Sequence, residues 1–83
     1  MTFKTQSGTE YKRVAWTGGS TPPQDLHKTC QDYRDLVSFF YEEQVSDFEE
    51  FWGDMPDQDT KKIFMWRARG DAWSSYREKN NIQ

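Results

Sequence analysis

The feature that most constrains this fold is a stripe of seven largely apolar residues that recur at helical spacing between positions 26 and 41. At about 100° per residue they fall on one face about 140° wide, the pattern of a helix packed on a core. The seven are Leu26, Cys30, Tyr33, Leu36, Val37, Phe40 and Tyr41. Upstream, Thr21-Pro22-Pro23-Gln24 combines an N-cap threonine, first-turn prolines and a capping-box glutamine. We therefore predict a first helix over residues 22 to about 44.

Two more helices are predicted after the first. A Ser-x-x-Glu capping box at Ser46 indicates a short helix that Gly53 should end. Pro56 then opens a third helix that we expect to reach about Lys79. Gly70 is its weak point, at a cost of about 1 kcal/mol relative to alanine, and leaves open whether the helix continues or breaks there.

The third helix, if continuous, has one broad apolar face with a cation in its middle. The residues of that face are Met65, Trp66, Ala72, Trp73 and Tyr76. Arg69 lies among them, and a guanidinium so placed needs a partner. We expect Arg69 to stack on Trp66 and Trp73 or to pair with a carboxylate from residues 35 to 60.

The N-terminal residues read as a β-hairpin. Residues 2 to 16 contain two strand-like runs around Ser7-Gly8, and the Gly-rich segment 17–20 is a flexible joint. Leu, Ile and Val together number only seven, so the core must be aromatic, with Trp16 added to both long helices. We predict a mainly α (α+β) fold, a three-helix domain preceded by a short N-terminal β-hairpin. One domain spans 1–83: 1–19 hairpin and joint, 20–79 helical part, 80–83 frayed tail.

The residue inventory argues against catalysis. Cys30 and His27 are the only cysteine and histidine, which excludes an intrachain disulfide and a Cys/His zinc site. No catalytic triad or Gly-rich phosphate loop is present, and acidic pairs are too abundant to indicate a glycosidase. We predict no enzymatic activity, no cofactor and no metal. The chain also lacks a signal-peptide h-region and a membrane-length apolar run, so we expect a cytoplasmic protein without membrane contact.

Charge is distributed very unevenly along the chain. Residues 1–34 carry five bases and three acids, residues 35–60 carry nine acids and no base, and residues 61–83 carry six bases and two acids. The net charges of the three segments are therefore +2, −9 and +4. Such asymmetry bears on association with partners rather than on fold.

The acidic segment predicts a protein-binding surface. Phe39 falls outside the apolar stripe, and we expect it to project from the side opposite the core. Trp52 is a second aromatic anchor if it is exposed. The predicted partner-binding residues are Asp32, Asp35, Phe39, Glu42, Glu43, Asp47, Glu49, Glu50, Trp52 and Asp54. The favoured function is a small acidic inhibitor, of DNA-mimic or anti-defence type, bound to a basic site on a nucleic-acid-handling enzyme. Small acidic proteins of viral or mobile-element origin have this general composition.

Two alternatives stay open beside the inhibitor hypothesis. One is a nucleic-acid-binding or transcription-associated module that uses the basic, aromatic third helix. Its candidate residues are Lys61, Lys62, Arg67 and Arg77. The other alternative is a structural subunit that forms a homodimer through its hairpin or Phe39.

Overall fold

Two long helices lie side by side and a two-stranded hairpin covers one side of them. The structure is a computed structural model that describes residues 2–19 and 21–81. The elements are β1 (Thr2–Lys4), β2 (Glu10–Lys12), α1 (Leu26–Thr29), α2 (Gln31–Trp52) and α3 (Gln58–Asn80). The strands are antiparallel, with Phe3 opposite Tyr11. Three helices preceded by a hairpin are the predicted fold class, which is confirmed.

The boundaries of the first two helices differ from the prediction. Cys30 is extended, with φ −121° and ψ 107°, and divides the expected first helix into α1 and α2. The capping box at Ser46 starts no helix, because α2 runs through it to Trp52. Contacts with α3 explain the continuity: the Gln44 side-chain amide donates to the Phe64 carbonyl at 3.1 Å. The Phe48 and Phe64 rings also meet edge to face, so packing holds this segment helical against its local capping signal.

The predicted end of this helix is confirmed, and the third helix is continuous. Gly53 adopts a left-handed conformation with φ 72°, and its N–H donates to the Glu49 carbonyl. α3 starts after Asp57, whose carboxylate accepts the Thr60 N–H at 2.8 Å. The helix passes through Gly70 and reaches Asn80, the first residue of the predicted frayed tail. Residues 1, 20, 82 and 83 lie outside the described residues, including the end of that tail and the start of the predicted helical part.

Gly70 permits a close approach rather than a break in α3. It is buried, and the indole of Trp16 lies directly over it. A Cβ at this position would lie 2.7 Å from Cδ2 and Cε3 of Trp16. The weak helix former is therefore the residue that lets the chain after the hairpin pack on α3.

Half of the buried core residues are aromatic, but Trp16, which we expected in the core, lies outside this cluster because it packs over Gly70. The buried apolar residues of the core are Tyr11, Tyr33, Leu36, Val37, Phe40, Ala68, Ala72 and Trp73. All seven members of the predicted stripe are either in this core or packed against it. Trp66, which we expected on the apolar face of α3, is instead 63% exposed. The reason is that Ala68 faces the core from α3, and residues two apart on a helix point about 200° from each other.

Candidate protein-binding surface

The acidic residues at the start of α2 hold the hairpin instead of facing solvent. Asp32 accepts hydrogen bonds from the Ser7 hydroxyl at 2.7 Å and the Tyr11 hydroxyl at 2.8 Å. Burial opposes the ionisation of Asp32, but hydrogen bonds such as these outweigh it and lower its pKa. Asp35 is buried and accepts the Gln6 N–H at 2.9 Å. These two predicted partner-binding residues are therefore engaged within the protein.

The hairpin also occupies the middle of the predicted surface. Phe39 is half-buried and stacks on Phe3, with ring centroids 5.9 Å apart. Our expectation that Phe39 has no core to reach is wrong, because β1 returns over that side of α2. Glu43 pairs with Arg13 at 2.6 Å, and the same guanidinium contacts Asp71 on α3 at 2.8 Å. Arg13 thus links α2 and α3 to the chain that follows β2.

The remaining predicted residues lie along the second half of α2 and in the turn after it, and all are exposed. They are Glu42, Asp47, Glu49, Glu50, Trp52 and Asp54. The structure therefore divides the ten predicted residues into a group that supports the hairpin and a group that faces solvent. We call residues 47–55, which contain most of the second group, the α2 tip.

Large apolar side chains are exposed among the acids of the α2 tip. Phe51 is 79% exposed, Trp52 66% and Met55 61%. The Trp52 ring lies 5.1 Å from Phe51 and 6.1 Å from Phe48, so these rings form one cluster. Phe51 and Met55 were missed in the sequence, because Phe51 lies three turns after Phe40 on the core face. The available signal was Gly53, which ends the helix directly after Trp52.

A shallow groove beside Trp52 extends this surface toward the start of α3. It has a volume of about 420 Å³ and is lined by Phe48, Trp52 and Met55 together with Asp54 and Asp57. Hydrogen bonding to Thr60 lowers the pKa of Asp57, whose carboxylate is part of the negative rim. The surface therefore offers apolar contact with a negative rim, the complement of an apolar group flanked by cations.

Three of the four residues of the alternative nucleic-acid-binding hypothesis point in different directions from α3. Lys61 and Lys62 are neighbours and point about 100° apart, and Arg67 is turned about 140° from Lys62. The Arg77 guanidinium lies 5.6 Å from the Trp73 ring, which is buried.

Arg69 has one of the two aromatic partners that we expected for it. Its guanidinium lies 6.0 Å from the centroid of the exposed Trp66 ring. Trp73, the other expected partner, is instead covered by Arg77.

Comparisons with protein families, curated proteins and solved structures found no match to this chain. Within residues 2–19 and 21–81, no helix is both long and apolar enough to cross a membrane. The same residues contain no group of three or more His, Cys, Asp or Glu side chains placed to hold a metal ion.

Proposed function

We propose that this protein is a non-enzymatic interaction protein that binds a basic surface on another protein through the α2 tip. The observation that carries the proposal is the exposure of Phe51, Trp52 and Met55 within a rim of carboxylates. Fully burying one large apolar side chain is worth roughly 1.5–3 kcal/mol, so three exposed neighbours forgo a large stabilisation. Clustered exposure of this kind marks interaction sites, and aromatic residues supply most binding hot spots.

The charge of the second half of α2 supports a partner that normally binds nucleic acid. Glu42, Asp47, Glu49 and Glu50 are exposed within nine residues, or about 12 Å of helix axis. They make this half of α2 strongly negative, which suits a basic site whose Lys and Arg side chains bind backbone phosphates. In this proposal the protein is an inhibitor that places carboxylates where such an enzyme binds phosphates, with Trp52 as the anchor.

The same rim argues against a homodimer formed through the tip. Two copies would bring like charges together, and no Lys or Arg between residues 35 and 60 would offset them. The single thiol is compatible with a cytoplasmic setting for such an inhibitor.

Capture from a lysate of the source cells tests the proposal when matched tryptophan variants are used. Trp52→Ala and Trp66→Ala remove equally exposed rings, 66% and 63%, from different parts of the surface. We expect Trp52→Ala to lose the captured protein and Trp66→Ala to retain it. Combined Glu42→Gln, Glu49→Gln and Glu50→Gln should weaken capture, and duplex DNA should release the protein from the wild type.

The outcomes separate the two parts of the proposal. Equal capture by wild type and Trp52→Ala would refute the α2 tip as the binding surface. If capture depends on the α2 tip but duplex DNA does not displace the captured protein, inhibition at a nucleic-acid site is refuted. The α2 tip would then remain a protein-binding surface.

A further inference from the structure

A second, cationic groove lies away from the α2 tip, between the segment before α1 and the outer side of α3. It has a volume of about 500 Å³, in the range of small-molecule sites. Pro22 and Pro23 form part of its wall, with Tyr33 and Trp66 as its aromatic residues. Its volume and flat rings suit a planar ligand.

Trp66 is the exposed aromatic residue of this groove, on the side of α3 turned away from the core. It lies within α3, where the backbone is held by helical hydrogen bonds, yet 63% of its surface is open. The Arg69 guanidinium, 6.0 Å from the ring centroid, lines the same groove. A flat ring beside a cation is an arrangement on which proteins stack nucleic-acid bases.

The charge of the groove is opposite to that of the α2 tip. The residues that carry full charges among those lining it, within the described chain, are Lys28 and Arg69, and His27 lies beside them. In a protein with a net charge of −3, a groove lined by cations favours an anionic ligand. Lysine and arginine both bind phosphate oxygens, arginine in a bidentate manner.

We propose that this groove binds a nucleotide, with its base on Trp66 and its phosphate between Lys28 and Arg69. The nucleotide is either free or an unpaired unit of a single strand, since both present a base and a phosphate. Duplex DNA does not fit, because its bases are stacked on each other and cannot reach the indole. The site is separate from the α2 tip and does not depend on the function proposed for it.

Titration of the ¹⁵N-labelled protein with nucleoside 5′-monophosphates and with a short oligothymidylate tests the proposal by NMR. The Trp66 indole N–H, assigned by its loss in Trp66→Ala, should shift and saturate with at least one probe. Base stacking is worth enough that Trp66→Ala should weaken binding roughly 5- to 150-fold. Trp52→Ala should bind as the wild type does, and Lys28→Gln, which retains the ring, should weaken binding and its salt dependence.

Saturation by a monophosphate indicates a free nucleotide, and saturation by the oligomer alone indicates a strand. The proposal is overturned if neither probe moves the Trp66 resonance, or if Trp66→Ala and Trp52→Ala weaken binding equally. Inorganic phosphate that produces the same shifts would overturn base recognition. A Glu-rich peptide that binds where nucleotides do not would assign the groove to a protein ligand and also overturn the proposal.

Discussion

Replacing Gly70 by alanine tests the packing of the hairpin segment on α3, because helix propensity and steric contact predict opposite signs. Within a helix, alanine is favoured over glycine by about 1 kcal/mol. The new Cβ would lie 2.7 Å from two ring atoms of Trp16 and 2.9 Å from a third. Overpacking of this kind costs about 1–3 kcal/mol, since the ring or α3 must move. The expected net change is a loss of up to about 2 kcal/mol in the free energy of unfolding.

Urea denaturation of a double-mutant cycle isolates the steric contribution. In a Trp16→Ala background the added methyl meets no indole, so Gly70→Ala should stabilise the protein by about 1 kcal/mol. The coupling between the two positions should therefore be about 1–3 kcal/mol. Circular dichroism at the helical minimum follows unfolding independently of the lost tryptophan. Stabilisation by Gly70→Ala in the presence of Trp16 would show that the indole does not lie on Gly70, and the reasoning would fail.

Three further predictions concern the attachment of the hairpin. Asp35→Ala leaves the Gln6 N–H without its charged acceptor and should cost about 1.5–3 kcal/mol in urea denaturation, whereas Asp47→Ala, at an exposed site, should change little. Because the pKa of Asp32 is lowered in the folded protein, Asp32 stabilises the fold at pH values above its unfolded pKa near 3.9. This stabilisation is lost as the pH falls through the folded value. Stability should therefore drop in acid, and Asp32→Asn should flatten the dependence; an unchanged acid slope would contradict this role. Burial is the largest influence on Tyr11 and raises its pKa to about 12. The stabilisation of the fold by neutral Tyr11 therefore holds below about pH 10 and is lost between pH 10 and 12. Tyr11→Phe should lose less stability at alkaline pH than the wild type. The same loss of stability in this variant as in the wild type would contradict this role of Tyr11.

The helices were predictable from the sequence wherever the local signals and the packing agree. The part of the stripe from Tyr33 to Tyr41 identified the core face of α2, and Gly53 identified the end of that helix. The helix start predicted from the capping box at Ser46 was wrong, because Phe48 on α2 and Phe64 on α3 pack against each other near that point. Such long-range contacts override a local preference worth about 1 kcal/mol.

The candidate surface was only partly predictable, because it depends on where the hairpin lies. The helical spacing placed Phe39 correctly off the main stripe but could not show that Phe3 would cover it. Asp32 and Asp35 were predicted to be surface charges for the same reason, although both carboxylates accept hydrogen bonds from the hairpin. The sequence did not show whether Trp52 is exposed. Its exposure in the structure decides where we place the proposed interface.

The affinity of the captured partner as a function of salt tests the central claim most directly. Binding measured by calorimetry between 50 and 200 mM salt should weaken steeply for the wild type, since several carboxylates meet a basic surface. The Glu42→Gln, Glu49→Gln and Glu50→Gln protein should bind more weakly with a shallower dependence, while Trp66→Ala should match the wild type. An affinity that is unchanged over this range, or a slope that the three substitutions leave unaltered, would contradict an interface built on the acidic second half of α2 and its tip.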